Sequence, residues 1–373
     1  MQKIKSSFTT LFSLLVAYVL FSATTYAQQP LLPCDEQEQK IIEATAADEV
    51  QLITSFTPAK PIERISARYP KNAARKGAEG WVQLSFVVDE NGDVQNPIVE
   101  DSGGHKSFER AAMSAVKRWQ YEPAIKNGKP TEICNQKIML DFTLAGNEGA
   151  SRKFIKQYKI AEELVQNNDL TGAEAAIDSL HNMDNLNRYE NAWLWNVDAI
   201  YSGKIENHKR QLISIKRLIS SSRMHEKNVF NDAHMGVMHQ RLAVLQVMLA
   251  HYADAHDTIE KIKELPEGEQ LLAQITNLTA HVEEVASSGK NIAVSIELDQ
   301  ESAYFHKLLR NNFAFANING ELNKVEVWCD SKREVFTVAE DHIWKIPESW
   351  GQCRVLVSGE KNTQFELIEV GKV

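Results

Sequence analysis

The spacing of apolar and polar residues changes period four times along the chain, and each change marks a boundary. Val82, Leu84, Phe86 and Val88 alternate with more polar neighbours, which predicts a half-buried strand. Asn91-Gly92 then predicts a tight turn into a second strand through Val94, Ile98 and Val99. Beyond Ser102-Gly103-Gly104 the period becomes helical: Phe108, Ala112, Ala115, Val116 and Trp119 share one face. Pro123, Gly128 and Pro130 predict a loop, and Ile138, Leu140 and Phe142 alternate again as a closing strand. Ahead of these, Tyr69-Pro70 opens a short helix over 71–76 that Gly77 stops. The result is a compact α+β unit over 58–146 with two helices on a three-stranded sheet.

Between 151 and 288 Gly and Pro become sparse and apolar residues recur at helical spacing. Helix pairs are expected around Asn168-Asp169 and around Gly203-Lys204, with a third centred on Leu242, Leu245, Leu249, Tyr252, Ala255 and Ile259. The first two bends lie about one period of ~34 residues apart, so the segment resembles degenerate tetratricopeptide repeats. An ordinary helical bundle is the other reading. Over 290–373 the period returns to two, through Ile292, Val294, Ile296 and Leu298 and then Val325, Val327 and Cys329 after an Asn319-Gly320 turn. About six short strands predict a small β-sandwich, with Trp328, Trp344 and Trp350 filling its core.

The N-terminus changes the picture of where this protein works. Lys3 and Lys5 precede an apolar stretch over 11–23, and Thr25-Tyr26-Ala27 ends it with small residues at −3 and −1. Residues 1–27 are therefore expected to be a cleaved signal peptide, too short in their apolar part to span a bilayer as a retained helix of about 20 residues. An uncleaved inner-membrane anchor is the alternative. Residues 28–57 form an acidic leader. Losing Lys3 and Lys5 takes the formal charge of −9 two units further negative, which argues against nucleic acid or anionic lipid as partner.

An exported chain with four cysteines is expected to form disulfides. Cys329 and Cys353 share one segment and are the expected bridge; whether Cys34 and Cys134 pair is open. Catalytic and cofactor signatures (GxSxG, HExxH, P-loop, GxGxxG) are missing from the sequence, which points to no enzyme and no cofactor. His234 and His239 are five apart, as are His251 and His256, so neither pair shares a helix face and no metal site is expected.

Tyr69-Pro70, Ala73, Gly77, Glu79-Gly80, Asp89-Glu90-Asn91-Gly92, Val94, Val99, Ser102-Gly103, Phe108-Glu109-Arg110-Ala111-Ala112, Ala115-Val116, Trp119-Gln120-Tyr121, Pro123, Gly128 and Pro130 occur in one order. On these residues the segment 61–144 resembles the TonB C-terminal domain family, a quarter of the mature chain. The resemblance implies a Gram-negative periplasm and a domain that receives an extended peptide. In that family a segment near the plug of an outer-membrane transporter, the TonB box, adds as a strand to the sheet edge. Carried over, the edge is the last strand: Gln136, Lys137, Ile138, Met139, Leu140, Asp141, Phe142 and Thr143. The same strand also reads as an edge that Lys137 and Asp141 keep monomeric. A protein or peptide partner follows, either a TonB-dependent transporter or another envelope protein, with no small-molecule cofactor. The family's stiff polyproline spacer has no counterpart in 28–57, which favours recognition over force transmission by an inner-membrane energy transducer.

Overall fold

The computed structural model describes residues 56–145, 149–223, 228–298, 303–338 and 342–371. The expected signal peptide, nearly all of the acidic leader, and Cys34 lie outside the described residues. Sixteen strands and ten helices alternate along the described chain in three groups.

The first group begins with β1 (Phe56–Thr57) and β2 (Lys60–Glu63), then α1 (Lys71–Arg75). Pro70 at φ −66° enters α1 without forfeiting a helical hydrogen bond, and Gly77 at φ +67° ends it. Next come β3 (Gly80–Val88), β4 (Val94–Gly103), α2 (Ser107–Val116), β5 (Gln120–Glu122), β6 (Ala124–Lys126), β7 (Lys129–Thr131) and β8 (Ile133–Phe142). The main sheet has the order β4-β3-β8, antiparallel throughout, with Leu84 opposite both Val99 and Ile138. Gly92 holds the β3–β4 turn at φ +86°, and a Cβ there would come 1.8 Å from the Tyr121 carbonyl oxygen. Phe108, Ala112 and Val116 of α2 pack on Val82, Leu84, Phe86 and Val88, and Trp119 closes that core by donating Nε1–H to the Ile65 carbonyl at 2.8 Å. Where a loop was expected around Pro123 to Pro130, β6 and β7 form a hairpin, turned by Asn127 and Gly128 at φ +52° and +75°. Asn-Gly is a hairpin signal in its own right, and the flanking prolines obscure it.

Helices occupy the second group: α3 (Arg152–Gln166), α4 (Leu170–His181), α5 (Arg188–Lys204), α6 (His208–Ser222), α7 (Asp232–Met248), α8 (Tyr252–Lys263), α9 (Gly268–Ala273) and α10 (Thr276–Ser287). Three bends share one design, a left-handed residue followed by the cap of the next helix: Asn168 before Asp169, Glu206 before Asn207, and Ala250 before His251. Their steps exceed the ~34-residue tetratricopeptide period. The second bend is not at Gly203-Lys204 as the sequence suggested. Gly203 lies inside α5, with the Gln211 side chain against it, 2.5 Å from where a Cβ would stand.

The third group contains β9 (Ile292–Glu297), β10 (Ala303–Lys307), β11 (Asn312–Asn319), β12 (Leu322–Cys329), β13 (Arg333–Phe336), β14 (Ile343–Lys345), β15 (Cys353–Gly359) and β16 (Gln364–Glu369). They form two four-stranded antiparallel sheets, β10-β15-β12-β13 and β14-β11-β16-β9, whose apolar sides share one core. Cys329 and Cys353 stand opposite each other on β12 and β15 and are joined by a disulfide, their α-carbons 4.0 Å apart. Trp344 lies in the core and Trp350 against it.

Two expectations fail for one reason. Trp328 is fully buried, but outside that core, in a cluster with Val87, Cys134 and Leu356 bordered by Ile98 and Phe305. Strand β3 is likewise buried on both faces: Trp81, Ser85 and Val87, on the side expected to meet solvent, are as covered as Val82 and Leu84. The helical and β groups pack onto the outer face of the first group's sheet. Trp81 Nε1 donates to Ser221 Oγ of α6 at 3.1 Å, and Trp328 of β12 covers Val87.

Candidate partner-binding edge

Strand β8 is the last strand of its sheet, bonded on one side to β3 from Gly80↔Phe142 to Val88↔Ile133. Each of its two ends makes a further hydrogen bond within the same chain. The Cys134 amide donates to the Asp330 carbonyl at 3.2 Å, and just past the strand the Leu144 amide donates to Glu79 Oε1 at 2.6 Å. Among the described residues no second strand pairs with the stretch between them.

Along that stretch the side chains alternate. Ile138, Leu140 and Phe142 turn towards the α2 core, Phe142 stacking on Phe108 at 4.4 Å. Lys137, Met139 and Asp141, opposite Ser85, Gln83 and Trp81, take the outer face. Gln136 is half-buried, and Thr143 lies one residue beyond the strand. The two charges that could have blunted the edge are engaged elsewhere. Asp141 pairs with the fully buried Arg188 of α5, and Lys137 Nζ lies 3.3 Å from Glu100 Oε2. Lys137 keeps 46% of its side chain exposed, yet protein crowding around it draws its pKa down, against the pull of Asp254 and Asp257.

Glu100 is the electrostatic centre of the outer face. Beside Lys137 it accepts from Gln83 Nε2 at 3.0 Å, from Ser85 Oγ and from Arg354 Nη1 of β15. Arg354 is 2% exposed and lies over the Phe305 ring, its Nε and Nη2 lacking partners among the described residues, and burial pushes its pKa down to about 10. On the helical side Arg217 holds Asp101 with two nitrogens, at 2.9 and 3.2 Å. Buried Glu79 accepts the Arg188 amide at the start of α5, at 3.0 Å. The buried charges among these, Glu79, Arg188 and Arg354, each meet a specific partner, the condition under which burial is tolerated.

Sequence reasoning missed what covers the sheet. The signal was present: Trp81 and Val87 are apolar on the side of β3 that a solvent-facing strand would make polar. Cys134 is buried and, among the described residues, has no disulfide partner; burial raises its pKa to about 12. Of the four histidines considered for metal, His239 bonds the Met235 carbonyl, His234 the Asn196 side chain and His251 the Tyr304 hydroxyl. Among the described residues no group of three or more His, Cys, Asp or Glu converges.

Residues 65–144 match the family described as the Gram-negative bacterial TonB protein C-terminal, a stretch that runs from ahead of α1 through β8. Protein TonB of Xanthomonas campestris pv. campestris (strain B100) is 40% identical over 62 residues, 17% of this chain and 28% of that protein. Protein tonB2 of Pseudomonas aeruginosa is 38% identical over 76 residues, 20% of this chain and 28% of the relative, and Protein TonB of Escherichia coli K12 is 32% identical over 87 residues, 23% and 35%. The chain thus spans about a third or less of these relatives' length. A solution structure of the Pseudomonas aeruginosa TonB CTD is 22% identical over 24% of this chain and 91% of that one, with a TM-score of 0.21. A structure of the tonb2 protein from Vibrio anguillarum is 30% identical over 33% of this chain and 99% of that one, with a TM-score of 0.20.

Proposed function

We propose that this chain, with its TonB C-terminal domain, binds a protein or peptide partner of the cell envelope by strand addition to β8, in connection with TonB-dependent transport. The observation that carries the reading is the open border of β8 between Cys134 and Leu144, in a strand that closes the family-matched segment. Backbone N–H and C=O groups on such a border are unsatisfied by protein and pair readily with an extended chain. The partner's own outward-facing side chains would meet Lys137, Met139 and Asp141 on one face, and the α2 side on the other. The helical module, read as repeat-like hairpins, and the C-terminal module, read as a β-sandwich, would hold this edge in place and extend the contact surface. The expected signal peptide would deliver the protein to the periplasm, where N-terminal sequencing should find a start at Gln28.

The test is a titration of the full chain with a synthetic peptide copying the plug-proximal segment of a TonB-dependent transporter, read by backbone amide hydrogen exchange. Added protection across 135–143, lost in Ile138→Pro or Leu140→Pro, is the expected result. Binding that leaves exchange in this stretch unchanged would refute strand addition here.

A further inference from the structure

The last helices of the helical module concentrate negative charge. Residues 251–289 hold eight carboxylates against Lys261 and Lys263, which accounts for six of the nine negative charges by which the whole chain departs from neutrality. Part of this is answered locally. Lys307 of β10 pairs with Asp257 at 2.5 Å, Lys263 with Glu260 at 2.5 Å and Lys261 with Glu264 at 2.6 Å. Glu269 and Glu283 have no ion-pair partner among the described residues.

Both of these line one groove between α8, α9 and α10. Glu260 and Lys263 of α8, Glu269 and Leu272 of α9, and Thr279 and Glu283 of α10 face it, each pair three or four residues apart and so on one side of its helix. Glu267 at φ +60° turns the chain into α9, and Gly268 lets that helix start directly against α8: a Cβ there would stand 2.4 Å from the Ile262 carbonyl oxygen. The floor is apolar. Ile259 and Val282, 6% and 1% exposed, belong to a core shared with Ala243 and Ala255, and half-buried Leu272 packs on it. The rim is open, with Glu260, Glu269 and Glu283 all exposed. At about 260 Å³ the cavity falls short of the roughly 300–1,000 Å³ of small-molecule sites, and it suits a protruding side chain rather than a cofactor.

We propose that this groove docks a basic segment of a protein partner, with one apolar side chain entering over Leu272 and flanking Lys or Arg residues meeting Glu269 and Glu283. The apolar floor supplies affinity, and the uncompensated carboxylates select the sign of the partner's charge. The chain's own residues 28–57, with six carboxylates and Lys40 alone, are repelled from it. A small cation would leave the floor uncovered, and among the described residues no three acidic or histidine side chains converge to hold one. The proposal needs no strand addition at β8.

Three short synthetic peptides of one helical spacing test it by fluorescence anisotropy against the full chain. They carry Leu with Lys, Leu with Glu, and Ser with Lys. The Leu–Lys peptide should bind at least about tenfold more tightly than either other, the scale of burying one leucine side chain. Glu283→Lys should weaken it about fivefold, and the double variant Glu269→Lys/Glu283→Lys about 25-fold, the scale of exposed ion pairs. Glu284→Lys makes the same change in net charge one residue further around α10, and should alter binding less than about twofold. Ala273→Phe fills the groove from an exposed position and should abolish binding with an unchanged melting temperature. Should that variant melt lower, the comparison of Glu283→Lys with Glu284→Lys decides alone. Equal binding of the Ser–Lys peptide would reduce the groove to diffuse attraction by an acidic surface and overturn the proposal. Equal binding of the Leu–Glu peptide, equal losses in Glu283→Lys and Glu284→Lys, or no binding of the Leu–Lys peptide would overturn it too.

Discussion

Removing the charge from Arg354 should be costly by itself and nearly free when its partner is changed too. The guanidinium sits at 2% exposure with one carboxylate, Glu100, and two nitrogens without acceptors among the described residues. Holding it at about 10 instead of above 12 corresponds to roughly 3 kcal/mol of desolvation. Arg354→Met relieves that cost but leaves Glu100 in the seam with Gln83, Ser85 and the half-exposed Lys137. Those remaining partners reduce the usual 3–5 kcal/mol for a broken buried pair to about 2 kcal/mol. Glu100→Gln leaves the buried cation almost unpaired and should cost about 3 kcal/mol. The double variant replaces both charges with groups of similar volume and should lie within about 1 kcal/mol of the parent. The coupling energy is then about 4 kcal/mol, far above the ~0.5 kcal/mol within which independent sites add. Urea unfolding at pH 7, followed by the fluorescence of the buried tryptophans, measures all four proteins. Simple additivity would refute the claim that this pair holds the C-terminal module against the first.

Other consequences can be checked on the same preparations. Gly92→Ala forces a side chain into a positive-φ position 1.8 Å from a carbonyl oxygen, and should lower stability by more than about 2 kcal/mol in a thermal melt. His251 is held neutral, its pKa pressed to about 4 by burial against Tyr304 and His306. Because the unfolded chain binds the proton near 6.5, stability should be full above that pH and fall as pH drops towards 4, by up to about 3 kcal/mol, and His251→Gln should flatten this slope in a pH series of melts. Reducing the Cys329–Cys353 bridge, which spans 24 residues, should cost about 3 kcal/mol and lower the melting temperature on addition of dithiothreitol.

Much of the first module could be read from residue order because its local signals agree. Gly77, Gly92, the α2 stripe and the alternation in β3 each demand the structure found there. The sequence was poorest where a residue's partner lies far along the chain. Trp328 looked like core because it is a tryptophan in a strand, yet its neighbours Val87 and Cys134 are more than a hundred residues upstream. Strands β10 and β14 escaped notice for a similar reason. β10 carries a buried His306 whose polarity makes sense only with Glu369, 2.9 Å away on β16. The candidate edge residues 136–143 came from resemblance, not periodicity. Alternation tells which face a side chain takes and says nothing about which border of a sheet stays open.

The tryptophan seam also bears on how this protein can be handled. Cutting out residues 58–146 as a tidy independent fragment would strip the lid from Trp81, Val87, Ile98 and Cys134 at once. Such a piece would present an oily plate with a lone thiol at its rim, prone to clump before it could be assayed. Whatever attaches at β8 is therefore attached, through that plate, to everything that follows it.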